Sequence, residues 1–254
     1  MSDAVMTEIA DGVMTITINR PKAKNAINLE VAKGVAAAMD ELDSNDSIQV
    51  AILTGAEGTF CSGMDLKAFV SGEMPFIEGK GFAGLVESLP KKPLIAAVEG
   101  FALAGGFEIM LSCDLVVTAS NARFGIPEAK RGLVAAAGGL MRLPRQIPPR
   151  IAMELALTGD FIDAERAYEL GLINRVVEPG TALEGAKALA QAIAANGPLA
   201  VIKSKEVILA SQDWSLDEMF GNQQKQVDVI FTSEDAIEGA TAFAEKRAPN
   251  WKGR

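Results

Sequence analysis

The chain of 254 residues contains no histidine. Histidine is the base of Ser-His-Asp and Cys-His triads and the commonest metal ligand, so both triads and histidine-based metal sites are excluded. Tyrosine occurs once, at Tyr168. Acid–base chemistry must therefore come from carboxylates, lysine, cysteine or that single tyrosine.

Cysteine and positive charge are also scarce. The two cysteines, Cys61 and Cys113, are too few for a disulfide framework and form no Cys-x-x-Cys pair, which favours small buried side chains. With 24 basic against 33 acidic residues the net charge is −9, so we expect no basic face for nucleic acid. A phosphorylated ligand would have to be held by a few local lysines or arginines.

Long hydrophobic runs are missing as well. The apolar stretch 94–118 is interrupted by Glu99, Glu108 and Asp114, which argues against a membrane span. The first twelve residues lack the basic flank and apolar core of a signal peptide. We therefore expect a cytoplasmic protein that does not associate with a membrane.

Short apolar runs alternate with helical patterns along the chain. Residues 14–18 alternate apolar side chains with threonine and predict a strand, and Asn28 is expected to cap a helix over residues 29–42. Further buried strands are predicted at 50–55, 94–98, 115–118 and 176–177. Helical patterns dominate from about residue 150. We expect an α/β core over residues 1–195 and a helical region over 196–254.

Glycine-containing turns follow the first two of these buried strands. Ala104-Gly105-Gly106 precedes a helix whose first turn contains Glu108, and Gly63-Met64 precedes another predicted helix. The first N–H groups of a helix are unpaired, and glycine lets a ligand approach them closely, so they can stabilise an oxyanion. Taken alone, each segment is more often an ordinary packing turn or N-cap.

Glu128 is the second candidate carboxylate. It follows Pro127, which restricts the backbone, and its Ala- and Gly-rich neighbourhood favours a raised pKa. Taken alone, this segment more often carries a solvated loop glutamate. Gly138-Gly139 follows as another stretch that permits close approach.

In combination these segments resemble the crotonase (enoyl-CoA hydratase/isomerase) superfamily from about Asp11 to the C-terminus. Order and spacing both agree with the family. The matching segments are NRP at 19–21, FCSGMDL at 60–66, PLIAAVEGFALAGGFE at 93–108, FGIPE at 124–128, LTGD at 157–160 and FAEKR at 243–247. Glu108 and Glu128 stand as far apart as the paired glutamates of the family's hydratases.

The resemblance implies a spiral of ββα turns with a C-terminal helical trimerisation region, assembled as a homo-oligomer that is a trimer or a dimer of trimers. It implies that Glu108 and Glu128 are catalytic and that the backbone N–H groups of Met64 and Gly105 form an oxyanion hole. Coenzyme A is then part of the substrate, with no separate cofactor or metal. The implied substrate- or CoA-binding residues are Met64, Asp65, Leu66, Lys67, Gly105 and Ala136, together with Phe243 and Lys246, which reach CoA in a neighbouring subunit.

Two segments depart from the family pattern. Ala104 replaces the first of three glycines that the family often has, and Ala135-Ala136 replaces a proline and glycine near the catalytic water. Gly105, the middle glycine, is kept, and a backbone N–H remains at Ala136.

The implied activity is that of an enoyl-CoA hydratase, which adds water reversibly across the 2,3 double bond of an enoyl-CoA thioester. SEDAIEG at 233–239 and the terminal WKGR resemble the carnitinyl-CoA dehydratase subgroup, where the same chemistry acts on a betaine acyl group. An enoyl-CoA isomerase, which needs only the carboxylate at 128, and a non-catalytic acyl-CoA-binding protein are the alternatives. Residues 68–90 are expected to form the wall of the acyl pocket.

Overall fold

The strands and helices follow the alternation predicted from the sequence. The structure, a computed structural model, describes residues 3–254. The strands are β1 (Val5–Ala10), β2 (Val13–Ile18), β3 (Val50–Gly55), β4 (Phe76–Ile77), β5 (Gly81–Phe82), β6 (Leu94–Val98), β7 (Phe101–Leu103), β8 (Leu115–Ala119), β9 (Arg123–Gly125), β10 (Ile162–Asp163) and β11 (Arg175–Val177). The helices are α1 (Leu29–Ser44), α2 (Leu66–Val70), α3 (Gly105–Leu111), α4 (Gly139–Gln146), α5 (Pro149–Thr158), α6 (Ala164–Glu169), α7 (Ala182–Ala194), α8 (Pro198–Ser211), α9 (Met219–Phe231) and α10 (Glu234–Glu245), with 3₁₀ turns at Pro21–Ala23 and Pro127–Arg131.

The main sheet has the strand order β1-β2-β3-β6-β8-β11. Only the β1–β2 pair is antiparallel, and the other strands run parallel. The central strands β3 and β6 are buried along nearly their whole length, which explains their continuous apolar runs. The predicted strands are confirmed. Strand β1 was not predicted, because it is an edge strand that is mostly exposed and lacks a clear alternation.

A smaller sheet of β10-β9-β7 lies beside the main one. The chain repeats one unit: a long strand in the main sheet, a short strand in the small sheet, then a helix. β6, β7 and α3 form one unit, and β8, β9 and the 3₁₀ turn at 127–131 form the next. In the preceding unit Cys61 pairs in parallel with Ala102 and takes the place of the short strand. This arrangement confirms the predicted α/β spiral of ββα turns.

Helices cover both faces of the main sheet. Asn28 caps α1 as predicted, its side-chain oxygen accepting a hydrogen bond from Val31 N at 3.0 Å, and the helix buries the stripe that ends at Leu42. On the opposite face α7 presents Ala186 and Ala190 to β3, β6 and β8. Small alanine side chains allow this close approach of helix and sheet.

Helices α8, α9 and α10 follow the spiral. Proline or a side-chain cap marks several of the helix starts: α5 begins at Pro149, α8 begins at Pro198, and the Ser233 side chain caps α10. In the described part of the chain no helix is both long and apolar enough to cross a membrane. The division of the chain between residues 195 and 196 stays a prediction.

An ion pair fastens α8 to the main sheet. Lys205 Nζ lies 2.6 Å from Asp114 Oδ2, and both side chains are nearly buried. The same carboxylate oxygen accepts a hydrogen bond from Leu94 N at 2.8 Å, and Lys205 also donates to the carbonyl of Lys92. Burial raises the pKa of Asp114, while Lys205 opposes that rise. The pair therefore joins α8 to the ends of β6 and β8.

Replacing Lys205 by alanine is expected to lower the free energy of unfolding by about 2 kcal/mol, because it leaves a buried carboxylate without its cation. The matched control is Lys203→Ala on the same helix, which removes an exposed pair with Glu206 and should cost about 0.5 kcal/mol or less. Urea unfolding of both variants at one protein concentration measures the difference. Equal losses for the two lysines would contradict the role given to Lys205.

Candidate active site

The register of the small sheet places two helix starts side by side. Cys61 pairs with Ala102. Met64 lies three residues after Cys61, and Gly105 lies three residues after Ala102. Ala102 pairs in turn with Phe124, four residues before Glu128. Because the pairings are parallel, residues that lie the same number of positions after each paired residue are close together in space. The spiral therefore stacks Met64, Gly105 and the 127–131 turn at one edge.

The backbone nitrogens of Met64 and Gly105 are not used by the sheet. The Ile27 N–H donates to Gly63 O, and the Ile27 carbonyl accepts from the Asp65 N–H, so the two hydrogen bonds flank Met64. Gly105 is the first residue of α3, so its N–H has no carbonyl partner within the helix. A methyl group added at Gly105 would lie 3.6 Å from Met64 N, so the two donors are close neighbours. This geometry is suited to one shared acceptor oxygen.

Ala104 holds the backbone that aims Gly105. Its φ of +51° lies in a region that favours glycine. Such a conformation in a residue with a Cβ costs about 1–3 kcal/mol and persists only where its surroundings impose it. Its N–H donates to Gly125 O at 2.9 Å, which ties this turn to the next unit of the spiral.

Asp65 braces the Met64 donor rather than presenting a free carboxylate. One oxygen caps α2 by accepting from Lys67 N and Ala68 N, and the other accepts from Arg20 at 2.9 Å. Arg20 also donates to Ala26 O at 2.6 Å. Burial acts to raise the pKa of Asp65, but these hydrogen bonds outweigh it and hold the pKa below its usual range. Arg20 and Asp65 thus hold the segment that contains Ala26 and the start of α2 in place on either side of Met64.

Glu108 is a buried carboxylate with dedicated backbone partners. It sits in the first turn of α3, and its Oε1 accepts hydrogen bonds from Ala137 N and Gly139 N, both at 2.8 Å. Burial raises the pKa of Glu108 above its usual range, and the two N–H groups and the nearby Arg142 reduce that rise without cancelling it. A Cβ at Gly139 would lie 3.0 Å from the same carboxylate oxygen, so a larger residue there would press on the Glu108 side chain. Oriented donors therefore favour the ionised form of Glu108.

Glu128 has a different environment. Its Oε2 is buried and has no hydrogen-bond partner among the described residues. Its pKa is raised to about 7, chiefly by burial and also by the charge of Glu108, while a hydrogen bond from its own backbone N–H and the charge of Arg131 oppose the rise. A carboxyl group with a pKa near neutrality exchanges a proton readily at physiological pH. The two glutamates are thus neighbours with unlike surroundings.

One cavity of about 730 Å³ joins these groups. Its lining includes Met64, Gly105, Glu108 and Glu128, together with the apolar rings of Phe69, Phe76, Phe82 and Phe161. Arg20, Lys22 and Lys67 line it as well and supply positive charge in a chain whose net charge is −9. Phe69, Met74, Phe76 and Phe82 come from the region expected to form the acyl wall. The cavity combines an oxyanion site, two carboxylates and cations.

Most predicted site residues meet in this cavity. Met64, Asp65, Leu66, Lys67, Gly105, Glu108, Glu128 and Ala136 all line it. Phe243 and Lys246 do not line it within the single chain, and the Phe243 side chain is 87 % exposed. The prediction that they reach a neighbouring subunit therefore stays a prediction.

Several contributing residues were not predicted from the sequence. The backbone N–H expected to serve the site was that of Ala136, but the groups that hold Glu108 are Ala137 N and Gly139 N. Arg142 and Arg131, which act on the two glutamates, carried no sequence signal. Gly139 did carry one, since Gly138-Gly139 indicated close approach without indicating the partner.

Backbone donors for an oxyanion beside two carboxylates define a site for acid–base chemistry on a carbonyl compound such as a thioester. Comparison with known proteins narrows this class. Residues 8–254 match the sequence family Enoyl-CoA hydratase/isomerase. The chain belongs to this family, so the resemblance inferred from the motifs is confirmed. The relatives described next are named hydratases and dehydratases, which are lyases.

Solved structures and curated relatives agree with this assignment. An enoyl-CoA hydratase of Mycobacterium tuberculosis H37Rv is 59 % identical with a TM-score of 0.98, and one of Mycobacterium marinum is 58 % identical with a TM-score of 0.98; both comparisons cover 100 % of each chain. A carnitinyl-CoA dehydratase of Proteus mirabilis is 41 % identical over 262 residues, covering 100 % of both chains.

Substituting Gly105 by alanine keeps the backbone N–H but displaces it, so kcat is expected to fall about 10²–10³-fold, the loss typical of disabling one oxyanion donor. The added methyl group would lie 2.6 Å from the Phe82 ring and would enter the space beside Met64 N. Gly221→Ala on α9 is the matched control, because a Cβ there meets nothing within 4 Å. Hydration of crotonyl-CoA and thermal unfolding are measured for both variants. Full activity of a folded Gly105→Ala variant would contradict the oxyanion site.

Proposed function

We propose that the chain is an enoyl-CoA hydratase that adds water reversibly across the 2,3 double bond of an enoyl-CoA thioester. One observation carries the proposal. The buried Glu108 and the partly buried Glu128, which have unlike surroundings, line the same cavity as two neighbouring backbone donors.

The thioester oxygen would accept hydrogen bonds from Met64 N–H and Gly105 N–H. As water attacks the β-carbon, negative charge builds on that oxygen, so both donors bind the transition state more strongly than the ground state. One such donor contributes about 3 kcal/mol in comparable sites. The constraints at Ala104 and Asp65 keep the donors in place before the substrate arrives.

The two glutamates would divide the proton transfers. Glu108, whose ionised form is favoured by Ala137 N–H and Gly139 N–H, orients the water and takes its proton as the oxygen bonds to the β-carbon. Glu128 gives its proton to the α-carbon. The proton then returns from Glu108 to Glu128 before the next turnover. Dehydration runs through the same steps in reverse, and no step calls on a metal or redox group.

The phosphates of CoA would be held at the cationic part of the cavity. Lys22 and Lys67 are exposed there, while Arg20 is partly engaged with Asp65. Phosphate contacts lie far from the reacting carbons and act alike on the ground and transition states, so they lower KM without changing kcat. We propose this uniform binding role for Lys67.

Isomerisation is the second candidate reaction, because it needs only a carboxylate at the position of Glu128. The paired backbone donors of Glu108 favour hydration, since an isomerase has no use for a second carboxylate held in this way.

We also propose a homo-oligomer built on trimers. Large apolar side chains lie exposed on the C-terminal helices and the turns beside them, among them Leu216, Phe220, Phe231 and Phe243. Exposed apolar clusters of this kind mark contact surfaces. Sedimentation at micromolar concentration should give a trimer or hexamer, and Phe243→Ser should shift it toward smaller species. A monomeric wild-type chain would refute this proposal.

Glu108→Gln and Glu128→Gln are each expected to lower hydration of crotonyl-CoA by about 10²–10⁴-fold while leaving binding of butyryl-CoA largely unchanged. Glu154→Gln, an exposed position on α5, is the matched control and should keep wild-type activity. Turnover within tenfold of wild type for both site variants would sink the assignment. Loss for Glu128→Gln alone would favour the isomerase.

The value of kcat/KM should fall as the pH rises above about 7, because Glu128, whose pKa is raised to about 7, then loses its proton. The active pair carries one proton, on Glu128 before hydration and on Glu108 before dehydration, so kcat/KM falls once that proton is lost. Both directions should show the same limb, because the equilibrium between enoyl and hydroxyacyl thioesters involves no net proton. The measurement is kcat/KM for crotonyl-CoA and 3-hydroxybutyryl-CoA from pH 5.5 to 9. A kcat/KM that does not change with pH in that range would exclude this role of the shared proton.

A further inference from the structure

Arg142 lies outside the catalytic cavity but contacts the segment that holds Glu108. It is a partly buried residue of α4 and does not line the cavity. Its backbone N–H donates to Gly138 O at 2.8 Å, and a Cβ added at Gly138 would overlap Arg142 Nη1. The guanidinium therefore lies against the backbone of Gly138. The residues on either side of that glycine, Ala137 and Gly139, donate the hydrogen bonds that Glu108 accepts.

The guanidinium also reaches a second segment of the chain. Arg142 Nη2 donates to Val86 O at 2.6 Å. Val86 N donates in turn to Phe82 O, so these hydrogen bonds continue into the turn that follows β5. The Phe82 ring packs against Gly105, where an added Cβ would lie 2.6 Å from it. Arg142 thus joins the segment that holds the catalytic carboxylate to the segment that packs against an oxyanion donor.

The charge of Arg142 acts on Glu108 as well. It opposes the rise that burial causes in the pKa of Glu108, and the charge of Glu108 opposes the fall that burial causes in the pKa of Arg142. Glu128 faces Glu108 from the 127–131 turn with like charge, and Arg131 acts on Glu128. The 137–139 segment acts on Glu108 through backbone N–H groups. Of these groups, Arg142 is the one that brings a full positive charge to Glu108.

We propose that Arg142 is a positioning residue for hydration, which keeps Glu108 ionised and aimed at the attacking water without touching the substrate. This inference rests on the proposed hydratase function and adds to it a residue that acts through Glu108. A general base has to be both deprotonated and aligned with the proton that it takes. Arg142 serves both needs, because its charge favours the carboxylate and its contacts with Gly138 and Val86 hold the segment that orients it.

The first test removes the charge. Arg142→Met should lower kcat for crotonyl-CoA about tenfold or more and change KM less than about threefold, because the lost interaction acts on the base and not on the bound thioester. Arg142→Lys keeps a positive charge and should recover much of the lost kcat. Arg145→Met, at an exposed position of the same helix, is the matched control and should keep wild-type kinetics. A kcat for Arg142→Met within about twofold of wild type, or a lysine variant no better than the methionine variant, would overturn the proposal.

The acidic side of the pH profile separates this role from a purely structural one. The active pair carries one proton, so kcat/KM falls at low pH once both glutamates are protonated. Without the charge of Arg142 the pair takes up its second proton more readily, so the fall should begin at a higher pH in Arg142→Met than in wild type. Arg142→Lys should restore the wild-type position. A loss of kcat with an unmoved acidic fall would assign Arg142 to structure alone and overturn the proposal.

Urea unfolding tests the same link without turnover. Folding raises the pKa of Glu108, so its contribution to stability is present below its unfolded-state pKa and is lost as the pH rises through its folded-state pKa. The free energy of unfolding of Glu108→Gln minus that of wild type should therefore rise with pH and then level off. With Arg142→Met in both chains it should level off at a higher pH.

This comparison also keeps the two proposals apart. If wild type hydrates no enoyl-CoA, the proposed function fails, and the stability curves alone decide the role of Arg142. Identical curves with and without Arg142 would refute that role even in an active hydratase.

Discussion

The parallel pairing of Cys61 with Ala102, continued by Ala102 with Phe124, is the constraint on which the site depends. Three neighbouring turns of the spiral are held in one register, so the residues that follow each pair arrive at the same edge. A shift of one residue would move Met64 N away from Gly105 N. The buried strands of the main sheet fix that register, because a slip by one residue would exchange the side chains that pack in the two cores on either face.

The two glutamates differ in the hydrogen bonds that their carboxylates accept. Glu108 is bound by two backbone N–H groups, whereas the Oε2 atom of Glu128 has no partner among the described residues. Burial raises the pKa of both, and oriented donors oppose it at Glu108. A chain without histidine thereby obtains an acid and a base from the same residue type.

The sequence predicted the elements whose signals are local. Strands β3 and β6 are buried on both faces and have continuous apolar sequences, and the glycines at the start of α3 indicated the oxyanion donors. What it did not reveal depends on distant pairing. Arg20 meets Asp65 across 45 residues, and Ala137 N holds Glu108 through a backbone group that any residue possesses.

The central claim is that Met64 N–H and Gly105 N–H bind the thioester oxygen. The most direct measurement is the infrared stretch of a ¹³C-labelled thioester carbonyl in butyryl-CoA, which binds without reacting, recorded free in solution and bound to the wild-type protein. Two hydrogen bonds to that oxygen weaken the C=O bond, so the account predicts a clear shift to lower wavenumber on binding. An unshifted band from a fully bound thioester would contradict it.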